Sequence, residues 1–362
     1  MNTSPQIPDD FELLDLMMAD LSAAPEAFQP TAYWQYYQNR TVQFLRNNGL
    51  HNIRRQQDPG ITCFGCYEGP LLPTKKQLLD MGLSEAEAEV SKSFGRLLER
   101  NPHQELLALN RSISQALRLE LEVLSLKAEL ACPNAVSIFE LDCSVAGNPT
   151  SSFRVDGNWY TPRIFEKYRH YIEFVREFDP TTLETIVEIG PGMGQQVEAL
   201  RKLHPHLSFV LVDIPPQLYV SHQYLKEVFG DDAIDYRSTR GSKITGLQPG
   251  KITFIGPWDL AGLEPRGRTA LWNACSFQEM SEPVVEGYFE IFRHFARDLF
   301  LLNVKDGLAA EVKTIIGSND TIDLDFYTRV FDPDYERLNV YPVEGLNDHR
   351  KYRVMTWRHR HL

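Results

Sequence analysis

The sequence is poor in cysteine, in positive charge and in long apolar runs. Its 362 residues include five cysteines, and 37 Lys plus Arg stand against 49 Asp plus Glu, a formal net charge of −12. Five cysteines are too few, and odd in number, for a disulfide scaffold in a chain of this length. The acidic balance disfavours nucleic acids and anionic membranes as partners, because both are bound mainly through Lys and Arg. A reduced, cytoplasmic protein is therefore expected.

The longest apolar segments have the size of strands. Runs such as residues 209–212 and 299–304 fall far short of the roughly 20 residues that a membrane helix needs. Residues 1–10 carry neither a basic region nor an apolar core, so no signal peptide and no transmembrane span are expected. With 43% hydrophobic residues, the chain can bury a large core, at roughly 150 residues per domain in about two domains.

Two patterns divide the chain near residue 150. Up to about residue 130 the pattern is helical, and its longest periodic segment covers 104–130. From residue 185, short apolar runs alternate with helical patterns, which is typical of a mainly parallel sheet with helices on both faces. Strands are predicted at 186–189, 209–212, 252–255, 270–274 and 299–304. We predict an all-helical N-terminal cap region (1–146) and an α/β, doubly wound, Rossmann-like domain (147–362).

The most informative stretch is a glycine-rich turn between the first predicted strand and a helix. Residues 185–194 read TIVEIGPGMG, and the following strand ends at Asp213. Glycines allow the backbone to approach a ligand closely, because no Cβ intervenes. An acid at the end of the neighbouring strand can accept both hydroxyls of a ribose. The pattern favours a nucleoside-containing cofactor over a tight turn that binds nothing.

Glycine spacing separates two classes of cofactor. A dinucleotide-binding turn has the pattern G-x-G-x-x-G, but counting from Gly190 or Gly192 places Gln195 or Val197 at its third glycine. The pattern is instead G-x-G-x-G preceded by Glu188. An NAD-dependent oxidoreductase is therefore disfavoured.

The pattern E-x-G-x-G-x-G, followed by V-D at the next strand end, resembles the first two motifs of the class I S-adenosylmethionine-dependent methyltransferases. In that family the turn passes under the methionine part of the cofactor and the acid holds the ribose. The resemblance implies S-adenosylmethionine as cofactor. It places in the cofactor site Glu188, Gly190, Gly192, Gly194, Asp213 and the adjacent Ile214.

Three further stretches are similar to the bacterial sugar O-methyltransferases, a branch of class I. They read VDIPPQL at 212–218, SFQEM at 276–280 with YF at 288–289, and GNP at 147–149 with DGNWYT at 156–161. The resemblance covers about residues 145–305 and implies O-methylation of a sugar or of a sugar-bearing small molecule. Residues 1–130 show no recognisable motif, so the acceptor stays open.

A hydroxyl acceptor needs a base, because its pKa lies far above neutrality. Glu279, just after the fourth predicted strand, is the first candidate for the base or for orienting the acceptor; the alternative is that it caps the helix that begins near Glu282. His222, on the helix after Asp213, and His349, on a C-terminal loop, are the other candidates, since histidine titrates near neutral pH. A lone histidine is more often a surface or hydrogen-bonded core residue.

Five further residues are candidates for cofactor contacts. Trp258 and Asp259 follow the third strand, where the adenine should lie; the alternative is a Gly-Pro turn with a core tryptophan. Ser276 is expected to position backbone or to contact the cofactor. Tyr160 and Arg163 are expected to reach the methionine carboxylate.

Cys63 and Cys66 form a C-x-x-C pair. We interpret them as free thiols, because a structural zinc site needs further ligands that the sequence does not offer nearby. A divalent ion is possible for sugar methylation but is not indicated by any spacing. Two other functions stay open: methylation of a non-sugar natural product such as a phenol or polyketide, and a methyltransferase-like scaffold that binds without turnover. The oligomeric state is open as well.

Overall fold

Helices and strands alternate from residue 153 onward, after an N-terminal part that is helical where it is described. The structure, a computed structural model, describes residues 6–62, 65–68, 104–241, 243–308, 320–343 and 352–362. The helices are α1 (Phe11–Ala23), α2 (Ala32–Asn48), α3 (Pro59–Thr62), α4 (Gln104–Ala131), α5 (Pro162–Glu177), α6 (Gln195–Leu203), α7 (Gln217–Phe229), α8 (Tyr236–Thr239), α9 (Glu282–Phe292) and α10 (Leu324–Phe331). The strands are β1 (Phe153–Val155), β2 (Asn158–Tyr160), β3 (Thr185–Ile189), β4 (Ser208–Val212), β5 (Ile252–Ile255), β6 (Thr269–Ala274), β7 (Ala296–Val304), β8 (Tyr335–Pro342) and β9 (Tyr352–His359).

Seven strands form one sheet in the order β5-β4-β3-β6-β7-β9-β8. Neighbouring strands are parallel except that β9 runs antiparallel to both β7 and β8. The chain builds the sheet outward from β3 through β4 to β5 and then returns to add β6 on the other side of β3. Ligands of such sheets bind where the order reverses, outside the carboxyl ends of the strands. The predicted α/β, Rossmann-like fold is confirmed.

The central strands are apolar because both of their faces are covered. Every residue of β3 and β4 is buried. Successive side chains of a strand point to opposite faces, and accordingly Ile186 and Phe209 join one hydrophobic cluster while Val187 and Val210 join the other. This two-sided burial explains why short runs of apolar residues predicted the strands correctly.

The β8–β9 hairpin was not predicted. Most residues of β8 are only partly buried or exposed, so its sequence has no apolar run. Only four consecutive residues of β9 are buried, and they lie between arginines. One of these, Arg358, donates from Nε to Oδ1 of the buried Asp298 at 2.8 Å. The strand is thus held partly by an ion pair, which a hydrophobic pattern does not reveal.

The N-terminal helices share a core with one face of the sheet. Leu14 of α1, Leu45 of α2 and Leu121 of α4 belong to the same hydrophobic cluster as Ile186 and Phe209 of the sheet. The domain boundary between residues 146 and 147 stays a prediction. No helix in the described ranges is both long enough and apolar enough to span a bilayer.

A buried ion pair in the N-terminal part is hydrogen-bonded to the helix that follows the glycine-rich turn. The guanidinium of Arg54 donates to Glu68, with Nε at 2.8 Å from Oε1, and to the carbonyls of Ser144 and Ala146 at 2.6 and 3.0 Å. The same carboxylate oxygen accepts from Nε2 of Gln195, the first residue of α6, at 2.6 Å. Because both charges are fully buried, removing one partner would leave the other uncompensated.

Candidate active site

A cavity of about 410 Å³ lies at the carboxyl ends of β3, β4 and β6, where the strand order reverses. Its size is within the range of small-molecule sites. Three chain segments meet there: the turn after β3, the residues after β4 and the turn after β6. The N-terminal segment 27–34 and one side of α5 and α9 complete the wall.

The glycine-rich turn is shaped by contacts that exclude a Cβ. Gly190 has a φ of +70°, and a Cβ there would lie 2.4 Å from Oγ of Ser276. Gly194, the N-cap of α6, has a φ of +87°, and a Cβ there would lie 2.8 Å from a methyl carbon of Leu225. Gly190 and Gly192 line the cavity, whereas Gly194 is not among its lining residues. Gly194 permits close packing of α6 against α7, and its role in cofactor binding stays a prediction.

Asp213 lies beside this turn, immediately after β4. Its Oδ1 accepts from the backbone N–H of Ile214 at 2.8 Å, and the N–H of Gly192 also bonds the carboxyl. Burial nevertheless raises the pKa of Asp213 to about 7. Asp213 and Ile214 both line the cavity, and their place on the ribose side of a cofactor site stays a prediction.

Glu188 is a second carboxyl at the same cavity and, unlike the partly exposed Asp213, it is buried. Burial raises its pKa to about 8; Lys167 opposes that rise and Asp213 adds to it. Its Oε2 has no hydrogen-bond partner among the described residues. An acceptor of this kind is costly to bury unless a ligand satisfies it.

Glu279 is the third carboxyl. It ends the short helical turn after β6 and lines the cavity, and burial, with a further contribution from Asp213, raises its pKa to about 7. The alternative of a helix cap is not supported, because α9 has Ser281 at its N-cap and the N–H of Glu282 bonds Asp320. A carboxyl with this pKa exists in both protonation states near neutral pH, as a general base requires.

A buried amide network fixes the turn that carries Glu279. Nδ2 of Asn273, the fifth residue of β6, donates to the carbonyl of Ile189 at 3.0 Å and to Oγ of Ser276 at 2.6 Å. Its Oδ1 accepts from the N–H of Phe277 and from Nδ2 of Asn303 at 3.2 and 3.0 Å. Ser276 also donates to Ile189. Ser276 thus lies in the cavity wall and joins the two turns, as expected of a backbone-positioning residue.

The residue before Ser276 has an unusual backbone. Cys275 lines the cavity with a φ of +67°, the left-handed region that residues with a Cβ seldom adopt. Its N–H bonds the carbonyl of Leu302 at 2.8 Å, and Oε1 of Gln278 accepts from the N–H of Val304 at 2.8 Å. These two bonds tie the turn to β7, so the strained conformation is held in place.

One face of α5 contributes charged groups that sequence reasoning largely missed. Arg163, Glu166, Lys167 and His170 line the cavity at helical spacing. Burial opposes the ionisation of Glu166, but Lys167 and Arg163 outweigh it and lower the pKa to about 2. Burial lowers the pKa of His170 to about 3, so its ring is neutral at physiological pH. Only Arg163 was predicted here, because the R-x-x-E-K-x-x-H spacing is equally typical of a solvent-facing helix.

Two sequence candidates lie away from the cavity. Tyr160 is fully buried in the N-terminal core, and its hydroxyl donates to the carbonyl of Ile138 at 3.2 Å. His222 is buried on α7, where Nδ1 lies 2.9 Å from Oε1 of Gln223 and Nε2 accepts from the N–H of Tyr236 at 3.3 Å. Neither lines the cavity, and the roles of Tyr160 in cofactor binding and of His222 as base stay predictions. The spacing of residues along a helix does not show which of its faces lines the cavity.

The residues predicted for the adenine are also displaced. Asp259 accepts from the N–H of Gly241 at 3.2 Å, and the ring of Trp258 lies against Gly256, where a Cβ would be 2.3 Å from a ring carbon. Neither lines the cavity, which at this end is bounded by Pro257. These contacts agree with the alternative of a Gly-Pro turn with a packed tryptophan, and the adenine contacts of Trp258 and Asp259 stay predictions.

Of the remaining candidates, His349 and Cys63 lie outside the described residues, and Cys66 is buried in the core. Gln217, which no expectation included, lines the cavity with an Oε1 that has no described hydrogen-bond partner. It follows the Asp213 segment within the VDIPPQL motif, which was the signal for it. In the described residues, no group of three or more His, Cys, Asp and Glu side chains is placed to hold a metal ion.

Comparisons with known proteins find structural likeness only. No protein-family model matches the sequence, and no curated protein matches it. Similar solved structures include the mitomycin 7-O-methyltransferase MmcR, with 12% identity over 54% of this chain and 57% of that chain and a TM-score of 0.39. The pyocyanin biosynthetic protein PhzM has 12% identity over 54% of this chain and 57% of that chain, with a TM-score of 0.37. Magnesium protoporphyrin IX methyltransferase (ChlM) from Synechocystis PCC 6803 with bound SAH has 12% identity over 54% of this chain and 85% of that chain, with a TM-score of 0.37.

Proposed function

We propose that this chain is an S-adenosylmethionine-dependent methyltransferase that acts on a hydroxyl of a small molecule. The observation that carries the proposal is a set of three carboxyls, the buried Glu188 and the partly buried Asp213 and Glu279, around one cavity at the glycine-rich turn. Burial raises all three pKa values, so the site favours a ligand that brings positive charge and hydroxyl donors. A sulfonium bearing a ribose has both.

The residues present fit that cofactor. Asp213 would accept the ribose hydroxyls, and the glycine-rich turn allows the methionine part to approach its backbone. Arg163 and Lys167, on the cavity face of α5, would hold the methionine carboxylate. The unpartnered Oε2 of Glu188 would accept from a ligand donor, such as the methionine ammonium.

When bound, S-adenosylmethionine supplies an activated methyl group. The chain then has to orient an acceptor hydroxyl, remove its proton and exclude water. Glu279 is the proposed base, because its pKa of about 7 matches the operating pH and its turn is fixed by the Asn273 network. Segment 27–34 closes the cavity from the N-terminal side.

Two other functions are alternatives to methyl transfer: an NAD-dependent oxidoreductase and a non-catalytic scaffold. The NAD-dependent oxidoreductase remains disfavoured by glycine spacing, and the sheet adds an antiparallel strand, β9, that the usual six-stranded dinucleotide-binding order lacks. A non-catalytic scaffold would have little use for Glu279, whose carboxyl makes no described hydrogen bond and borders the cavity. We retain two classes of acceptor: the sugar expected from the sequence resemblance, and a non-sugar natural product.

The direct test is release of S-adenosylhomocysteine from S-adenosylmethionine in the presence of hydroxylated small molecules, both phenols and glycosides. The proposal expects turnover with at least one class and loss of it in Glu279→Gln. Binding of S-adenosylhomocysteine without turnover across a broad panel would favour the scaffold instead.

A further inference from the structure

Helix α4 carries a stripe of exposed apolar side chains. Among the described residues, six large hydrophobic side chains are exposed, and four of the six belong to this one helix. These four are Leu119, Val123, Leu126 and Leu130, and they are between 42% and 77% exposed. Exposed apolar residues are normal when they are scattered, whereas a contiguous patch indicates an interaction surface. The stripe is therefore a candidate interaction surface.

The spacing of the stripe is that of a coiled-coil seam. Its residues follow one another at intervals of four, three and four, and the exposed Ala116 adds an interval of three at the N-terminal end. These are the alternating a and d positions of the heptad repeat, through which helices pack side by side. In this register Val123 lies at an a position, while Leu119 and Leu126 lie at d positions. That combination favours a pair of helices over a bundle of three or four.

The other side of α4 fixes the helix to the body of the protein. Leu121, Leu124 and Ala128 are buried in the hydrophobic cluster that reaches the central strands of the sheet. They lie roughly 150° round the helix from the stripe, at 3.6 residues per turn. Beside them, Glu120 forms an ion pair with Arg169 of α5. Because α4 is already folded and held in the single chain, pairing costs little of the ordering entropy that an isolated helix would lose.

From this pattern we propose that the stripe packs against the same stripe of a second copy of this chain, which makes the protein a homodimer. A two-fold interface uses one patch twice, so the patch has to be complementary to itself. The charges beside the stripe meet this condition. Lys127 and Glu120 lie on one flank, and Glu122 and Glu129 lie on the other.

The same charges favour a parallel pair. In a parallel pair, Lys127 of each copy faces Glu122 of the other, and no two like charges meet across the seam. In an antiparallel pair, Lys127 faces Glu120, but Glu122 then faces Glu129, which is unfavourable.

The flanking charges disfavour a lipid surface as the occupant. Helices that lie on membranes carry mainly Lys and Arg beside their apolar face. Three of the four charged residues beside this stripe are acidic. A second copy, which brings one lysine to meet one glutamate on each flank, matches them better.

Sedimentation equilibrium of the full chain, from about 1 to about 100 µM, measures the pairing. We expect the monomers to form dimers within this range. Leu126→Glu should weaken the dimer at least about 100-fold, because each dimer buries this side chain twice. Leu362→Glu is the matched control, since Leu362 is also an exposed leucine but does not belong to α4; it should change the dimer affinity by less than about twofold.

The charges give a second test that can be reversed. Lys127→Glu should weaken the dimer about tenfold, because it turns two attractive contacts into two repulsive ones. Adding Glu122→Lys to that variant should restore most of the affinity. Both residues are exposed, so an unchanged circular dichroism spectrum is expected and shows that each variant is folded.

A wild-type chain that stays monomeric up to about 100 µM would overturn the proposal. The stripe would then be covered by a lipid surface, which flotation with phosphatidylcholine vesicles would show, or by residues 69–103 of the same chain. A dimer that Leu126→Glu leaves at wild-type affinity would overturn it as well. The pairing does not depend on methyl transfer, so neither outcome bears on the proposed function.

Discussion

Replacing Asp213 by Asn should stabilise the ligand-free protein at alkaline pH while it weakens cofactor binding. Burial raises the pKa of Asp213 from 3.8 to about 7, and each pKa unit corresponds to about 1.4 kcal/mol. In the unfolded chain the carboxyl ionises above pH 3.8, whereas in the folded protein it ionises only near pH 7. The stability that the protonated form contributes is therefore present below pH 3.8 and is lost as the pH rises to about 7.

The size of the effect follows from the two pKa values. The loss reaches about 1.5 kcal/mol at pH 5 and up to about 4 kcal/mol above pH 7. An Asn side chain does not titrate, so the stability of Asp213→Asn relative to the wild type should rise by about 2.5 kcal/mol between pH 5 and pH 8. The same change removes the charged group that is proposed to accept the ribose hydroxyls, which is expected to weaken S-adenosylhomocysteine binding by about 10- to 100-fold.

Urea unfolding at pH 5 and pH 8 measures the first effect and calorimetric titration the second. Asp231→Asn is the matched control, because Asp231 is fully exposed and its nearest cation, Nζ of Lys226, is 3.6 Å away; it should change neither quantity appreciably. A pH-independent stability difference would refute the raised pKa of Asp213. Wild-type affinity in Asp213→Asn would remove this residue from the ribose site.

Three other substitutions test separate parts of the site. Glu279→Gln should lower kcat by about 100-fold or more and abolish the rise of kcat/KM with pH through about 7; an unchanged profile in a rate assay would exclude Glu279 as the base. Gly190→Ala should impair S-adenosylhomocysteine binding in titrations, and a second change, Ser276→Gly, should restore part of it by relieving the 2.4 Å contact; no loss in the single variant would contradict the crowding. Glu68→Gln should cost about 3 kcal/mol or more in urea unfolding, because it leaves Arg54 buried without its counter-charge; a loss below about 1 kcal/mol would show that water compensates.

The sequence predicted the features that depend on local residue patterns, namely the central strands and the glycine-rich turn. The strands around the site have two buried faces, so their apolar runs predicted them, and the spacing of Gly190 and Gly192 indicated the turn that lines the cavity. Glu279 and Asp213 were predicted to lie at one site because the carboxyl ends of parallel strands meet at one edge of the sheet.

What the sequence did not reveal depends on tertiary packing. The polar face of α5 turns into the cavity only because the N-terminal helices and the sheet enclose it. His222 turns the other way, into the core between α7 and α8, where Gln223 and the backbone of Tyr236 bond both ring nitrogens. The segment around Trp34 lies more than 150 residues from the glycine-rich turn in sequence, and no local pattern indicated that it closes the same cavity.

The central claim is that the carboxyl-lined cavity holds S-adenosylmethionine. Calorimetric titration of the wild-type chain with S-adenosylhomocysteine, and in parallel with NADH, tests it most directly. Saturable binding of S-adenosylhomocysteine at one site per chain, with no heat from NADH, is the predicted result. Binding of NADH, or no binding of S-adenosylhomocysteine, would contradict it.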